Sequence, residues 1–76
     1  MPTLDELTPG HSGRVLSIQG EPDLIQRVLD FGLVEGEELE VVGIAPLGDP
    51  MEIRCGSSRF SLRRRDAAGI EIREIE

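Results

Sequence analysis

Apolar and polar positions along the chain follow two rhythms: one stretch keeps the helical period, and most of the rest keeps the two-residue period of strands. The helical stretch opens at Gly20-Glu21-Pro22-Asp23. Pro22 suits the first helical position, where a missing N–H costs nothing, and Glu21 and Asp23 suit the positive end of the helix dipole. Leu24, Ile25, Val28, Leu29 and Phe31 then form one apolar stripe, with Gln26, Arg27 and Asp30 on the wet face. Gly32 suits a left-handed cap, and Leu33 beyond it can fold back on the last turn. The stripe predicts core burial for Leu24, Val28 and Leu29, and core-facing positions for both aromatic residues, Phe31 and Phe60.

The other segments read as short strands. Thr3-Leu4-Asp5-Glu6 first fits a capping box on a brief helical turn, with Leu4 and Leu7 sharing a face, and Thr8-Pro9-Gly10 ends it. In the strand Ser12–Gln19, Leu16 and Ile18 fall on one face and Ser17 and Gln19 on the other. Val15 breaks the alternation, which predicts a bulge or twist near Gly13. Glu37 to Ile44 predicts a second strand with Leu39, Val41 and Gly43 on one face. A turn at Pro46-Leu47-Gly48-Asp49-Pro50 follows, then Met51, Ile53 and Cys55 alternate with Glu52 and Arg54. Gly56-Ser57-Ser58 predicts a tight hairpin turn into Arg59–Leu62, with Phe60 and Leu62 inward. Arg63 to Ala68 reads as a polar turn, and Ile70, Ile72 and Ile75 fall on a last strand. The expected fold is mainly β: one domain over residues 1–76, a small barrel of about five short strands with one inserted helix plugging an end or covering a side. Closure would remove the exposed edges of an open sheet.

With 76 residues the core must be thin, because so short a chain buries only about 60% of its unfolded surface. Eight Arg stand against fifteen Asp and Glu, with no Lys, for a formal net charge of −7. That balance disfavours sequence-independent nucleic-acid binding and docking on anionic lipid. The first residues lack a basic, then apolar, leader pattern, and no apolar run approaches the length of a membrane span. A lone cysteine, Cys55, excludes an internal disulfide and fits a reducing compartment. A cytoplasmic location is expected, with attachment to the inner face of the membrane only through a partner.

Candidate chemistry is sparse. Catalysis would need Cys55 and His11 to meet, but Cys55 falls in the inward set and His11 in a turn, so no catalytic residue is expected. Two Cys or His ligands are too few for a structural zinc site. Glu35, Glu37, Glu38 and Glu40 read as a solvated strand face, as do Glu71, Glu74 and Glu76. No metal and no cofactor is expected, beyond weak cation capture at the surface. A phosphate-binding loop is excluded because it needs a Lys. Two features point to a binding surface instead. Leu47-Gly48-Asp49-Pro50 is a stiff loop with an apolar tip, and Arg63-Arg64-Arg65 is the one basic run, whose guanidinium forks match acidic groups.

The string LIQRVLDFGLVEGEELE, Leu24 to Glu40, resembles the helix–Gly–Leu–x–x–Gly segment of FeoA proteins. IAPLGDPMEIRCGSSRFSLRRRDAAGIEI resembles the rest of that family, and LTPGHSGRVLSIQG its opening strand. The ordered set Gly10, Val15, Gly32, Leu33, Gly36, Pro46, Gly48, Asp49, Pro50, Leu62 and Ile70 carries the resemblance across nearly the whole chain. Cys55 stands where an aliphatic residue is expected. The resemblance implies an SH3-like barrel with an inserted helix, in which Gly32, Leu33, Gly36, Pro46 and Leu62 are structural positions. It implies a non-enzymatic accessory protein of bacterial ferrous iron uptake, partnered with the cytosolic part of FeoB, the GTP-dependent membrane transporter, and tuning its assembly or nucleotide turnover. It implies no catalytic residue, no cofactor, no nucleic acid and no membrane insertion. Leu47, Gly48, Asp49, Pro50, Arg63, Arg64 and Arg65 are the candidate contact residues. A second reading is a regulatory or weakly metal-binding domain akin to the C-terminal domain of iron-dependent repressors. Against it, the chain has no helix-turn-helix and an unfavourable charge for DNA.

Overall fold

The computed structural model describes residues 2–75. Five antiparallel strands form one sheet: β1 (Ser12–Ile18), β2 (Glu38–Ile44), β3 (Met51–Cys55), β4 (Ser58–Leu62) and β5 (Ile70–Ile75), in the order β4-β3-β2-β1-β5. Helix α1 (Pro22–Asp30) joins β1 to β2, and a four-residue helix, α2 (Arg64–Ala67), joins β4 to β5. The expected closure into a barrel is not realised. β4 and β5 end the sheet and do not pair with each other. Nor is 63–68 a plain polar turn: α2 forms there and buries Ala67 completely.

At the N-terminus the capping box forms over the 3-10 turn Leu4–Glu6, with the Thr3 amide donating to Glu6 Oε1 at 2.8 Å. This turn sets Leu4 and Leu7 into the core. Its neighbour Pro2 accepts a hydrogen bond from the Ile72 N–H at 3.0 Å, and Thr3 bridges to Glu71. The start of the chain therefore covers part of the β5 edge.

Two bulges decide which side chains face inward, and they correct the alternation expected for both strands. In β1, Val15 pairs with Ile72 and Ser17 with Glu71, so Leu16 is the extra residue. The bulge therefore lies at Leu16, not near Gly13. Val15 is buried and Leu16 only half-buried, the reverse of the simple alternation. Beyond the bulge Ile18 pairs with Ile70 and packs on the core. In β2, Val41 pairs with Ile53 and Gly43 with Glu52, leaving Val42 as the extra residue. Gly43 thus sits on the wet register with Glu52, and Ile44 takes the inward place opposite Met51. Each bulge turns a two-residue inward spacing into three and bends its strand. β3, β4 and β5 keep the plain alternation: Met51, Ile53, Cys55, Phe60, Leu62, Ile70 and Ile72 are buried, and Ile75, paired with Ser12 and out of phase with Ile70 and Ile72, is half-buried.

α1 begins at Pro22 and ends at a complete Schellman turn. Gly32 N–H donates to the Leu29 carbonyl at 2.9 Å, and Leu33 N–H to the Val28 carbonyl at 3.0 Å. Gly32 takes φ +88°, a conformation that costs L side chains about 1 kcal/mol or more. The motif brings Val28 and Leu33 together, both fully buried. The helix lies shallower than its stripe predicts. Val28 alone within α1 is buried, Leu24 is half-buried against the core, and Leu29 stays 39% exposed. Phe31 does not enter the core either. It stacks on Phe60, with ring centroids 4.7 Å apart and planes 9° from parallel, and remains 37% exposed.

Two predictions follow from this packing. Gly69 N–H closes α2 onto Asp66, and its carbonyl accepts from Gln19 at 2.8 Å. A Cβ there would collide with the Gln19 carbonyl. Gly69→Ala is expected to lower unfolding free energy by several kcal/mol, against about 1 kcal/mol for Gly32→Ala, whose cost is conformational only; urea titration of both variants measures the difference. Burial first, and then the charge of Glu37, push the Cys55 thiol above its ordinary 9.0. The folded state thus holds this proton more tightly than the unfolded chain, and that contribution is intact below pH 9 and lost as pH rises through the raised value. With no Lys or Tyr in the sequence, Cys55 is the side chain that titrates in this range. Wild-type stability should fall with pH in this alkaline window, and Cys55→Ala should flatten that fall.

Candidate partner-binding site

The two candidate segments lie 13 residues apart in the chain, from Pro50 to Arg63, and meet in space. The loop between β2 and β3 closes on itself. Ala45 N–H donates to the Pro50 carbonyl at 3.0 Å and Gly48 N–H to the Ala45 carbonyl at 2.7 Å. The Asp49–Pro50 peptide is cis. Pro46 is exposed, and Leu47 at the tip is 97% exposed. A leucine this bare presents nearly its full apolar surface to solvent.

Asp49 holds this loop against the start of α2. Its Oδ1 accepts the Arg64 backbone N–H at 2.9 Å, and its Oδ2 lies 3.8 Å from the Arg63 guanidinium. The first amide of a helix has no partner within the helix, so a carboxylate supplied by another loop satisfies it. Arg64 completes the junction. Its guanidinium donates to the Gly48 carbonyl at 3.4 Å and to the Asp5 carbonyl at 2.7 Å. One side chain thus ties the loop, α2 and the N-terminal turn together.

The three arginines consequently differ in kind. Arg64 is half-buried and committed to carbonyls, so it is a fastener. Arg63 and Arg65 are exposed. Among the described residues no carboxylate lies within ion-pair distance of Arg65. Among the described ion pairs Asp66 meets none of the three arginines, and Asp49 supplies the nearby charge. Leu47, Arg63 and Arg65 therefore present an apolar tip and two guanidinium groups, with Gly48, Asp49 and Pro50 as the frame. The other family positions do structural work: Gly32 and Leu33 in the Schellman turn, Leu62 in the core, and Gly36 through its N–H, which donates to the Val15 carbonyl at 2.8 Å.

Elsewhere the charged groups pair across strands. Arg14 meets Glu38 at 2.7 Å, Arg54 meets Glu40, and Arg59 meets Glu52 at 3.3 Å. These pairs cover the wet face of the sheet and leave Glu38 and Glu40 partnered. His11 is exposed and its Nδ1 lies 2.7 Å from Glu74 Oε2. Cys55 faces the other way, its thiol donating to the Gly32 carbonyl at 3.6 Å. Among the described residues no group of three or more His, Cys, Asp or Glu is placed to hold a metal ion. Two surface clefts, of about 180 and 210 Å³, lie beside the Glu40–Arg54 pair and beside Ser17 and Glu71. No described helix is long and apolar enough to cross a membrane.

Sequence reasoning found both segments but missed the role of Asp49 and the exposed ring of Phe31. The first depends on a contact between distant segments. The second had no local signal: Phe31 stands three residues after the buried Val28, a spacing that places both on one face, but it is the C-cap, where the helical period ends.

Comparison with known proteins gives this arrangement its setting. A fusion of Fe(2+) transport protein A with the Fe(2+) transporter FeoB, from Porphyromonas gingivalis, is 39% identical over 72 residues. That match covers 95% of this chain and 8% of the relative, so the chain spans a small fraction of that protein. The solution structure of the FeoA protein from Chlorobium tepidum superimposes with a TM-score of 0.93 at 39% identity, covering 99% of this chain and 71% of that one. The zinc complex of Stenotrophomonas maltophilia FeoA, described as a prokaryotic SH3 domain protein, matches with a TM-score of 0.80 at 33% identity. It covers 95% of this chain and 89% of that one. A model of the FeoA domain matches residues 3–74, and with relatives linked to ferrous iron transport among its matches, the chain belongs to the FeoA domain family.

Proposed function

We propose that this protein is a non-enzymatic accessory module of ferrous iron uptake, which binds the cytosolic part of a FeoB-type transporter and modulates it. The observation that carries the reading is the Porphyromonas gingivalis fusion, in which a homologous segment and a FeoB transporter share one polypeptide. Covalent joining fixes a high effective concentration, which favours pairs that act together. The SH3-like description of the Stenotrophomonas maltophilia relative supports a binding role for the domain.

The contact runs through Leu47 and the exposed arginines. Leu47 supplies an apolar anchor on a closed loop, so little ordering entropy is lost when it seats in a pocket. Arg63 and Arg65 flank the loop base and read acidic groups on the partner. Arg64, Gly48, Asp49 and Pro50 hold these groups in register without needing to touch the partner themselves.

The test is capture of the FeoB-type transporter from detergent-solubilised membranes of the source cell, with and without GTP and at two salt concentrations. Wild type should retain the transporter, and Leu47→Asp should weaken retention about tenfold, the loss expected of a central apolar anchor. Arg63→Glu with Arg65→Glu should weaken it most at low salt, because exposed charges are screened as salt rises. Capture that is absent under all conditions, or unaffected by these substitutions, would remove the reading.

A further inference from the structure

The two edges of the sheet are treated differently. Pro2 and Thr3 cover part of the β5 edge, as described above. Among the described residues nothing pairs with the outer edge of β4. Apart from the charge of Arg59, β4 lacks the devices that usually blunt an edge. It has no proline, its register with β3 runs unbroken from Cys55↔Ser58 to Met51↔Leu62, and it is five residues long.

The hairpin geometry says which backbone groups are free. A two-residue turn, Gly56-Ser57, connects the strands, so its closing pair Cys55↔Ser58 exchanges hydrogen bonds. Pairs alternate along an antiparallel ladder, so Phe60 and Leu62 also bond to β3, whereas the N–H and C=O groups of Arg59 and Ser61 point to the open edge. Those four groups are spaced to take one more strand.

Two further features select what that strand would be. Along β4 and into α2 the residues 59–65 hold four arginines and no carboxylate; Arg64 is spent on carbonyls, Arg59 and Arg63 each lie beside one carboxylate, Glu52 at 3.3 Å and Asp49 at 3.8 Å, and Arg65 has no described ion pair. Arg59 and Arg63 have side chains 58% and 62% exposed. On the inner face, Phe60 is the central inward residue of β4 and carries the half-open Phe31 ring on top of it. An added strand would set one side chain within about 5 Å of Phe60 and its next neighbours toward the arginines. A second copy of β4 fits poorly, because antiparallel self-pairing brings arginines toward arginines. We infer that the outer edge of β4 is a strand-addition site for an extended acidic segment of a partner protein, with apolar residues alternating toward Phe31 and Phe60.

This inference concerns the backbone edge of β4, which borders the Leu47 site at Arg63, and it stands whether or not the transporter is the partner. The probe is a capped synthetic peptide of about eight residues alternating Glu with Val, against a control alternating Lys with Val. The readout is amide hydrogen exchange of the intact protein followed by NMR. The Glu peptide should slow exchange at Arg59 and Ser61 about tenfold or more, with little change at Phe60 and Leu62, which are already bonded to β3. Arg59→Glu, which lies outside the Leu47 site, leaves the backbone edge intact and should abolish the effect. So should Ser61→Pro, which removes one outward N–H at a position where an edge strand accepts proline. Equal protection by the Lys peptide, protection centred elsewhere, or no protection at millimolar peptide would overturn the inference.

Discussion

The structure depends on two residues that do not fit a regular ladder. Leu16 and Val42 are the extra residues in β1 and β2, and the sheet bends where each is inserted. A flat sheet of five short strands would present a broad apolar face, and a single nine-residue helix lying shallowly could not cover it. Bending lets the sheet cover itself. Val15, Ile18, Val41 and Ile44 then converge with Met51, Ile53, Ile70 and Ile72 on one small core. α1 and the N-terminal turn need only close the gaps, which they do with Val28, Leu33, Leu4 and Leu7. A thin core is the rule for a chain of this size, so the burial of these few side chains accounts for most of the fold's stability.

The same bulges explain where sequence reading succeeds and where it stops. Alternation places Met51, Ile53, Cys55, Phe60, Leu62, Ile70 and Ile72 correctly, because β3, β4 and β5 keep a strict register. It misassigns Leu16 and Gly43, because a one-residue insertion flips every later side chain to the other face. The helix and its Schellman turn are legible in Pro22, Gly32 and Leu33, since capping is local chemistry. The depth at which the helix sits is not local. It depends on how much core remains uncovered by the sheet, and here that room extends to Val28 but not to Leu29 or Phe31. The open edges escape the sequence for a related reason, because whether β4 meets β5 is set by total bend, which no window of residues encodes.

For the candidate site, each half is legible and the joint is not. Loop residues with special backbone needs, and an arginine run in an acidic chain, both stand out by composition. That Asp49 satisfies the first amide of α2, and that Arg64 is spent on carbonyls while Arg63 and Arg65 stay exposed, emerges only when the two segments are brought together. A run of three identical residues thus divides into one internal fastener and two outward groups.

Arg64 has a structural consequence as well. Its guanidinium grips Gly48 and Asp5 at once, and Asp5 belongs to the turn whose preceding residues, Pro2 and Thr3, lie along β5. The chain of contacts runs from loop to arginine, to turn, to the far rim of the sheet. Two parts of the molecule that share no strand pairing are thereby joined through a single guanidinium, so the one side chain in the basic run that faces inward is also the link between the loop and the covered rim.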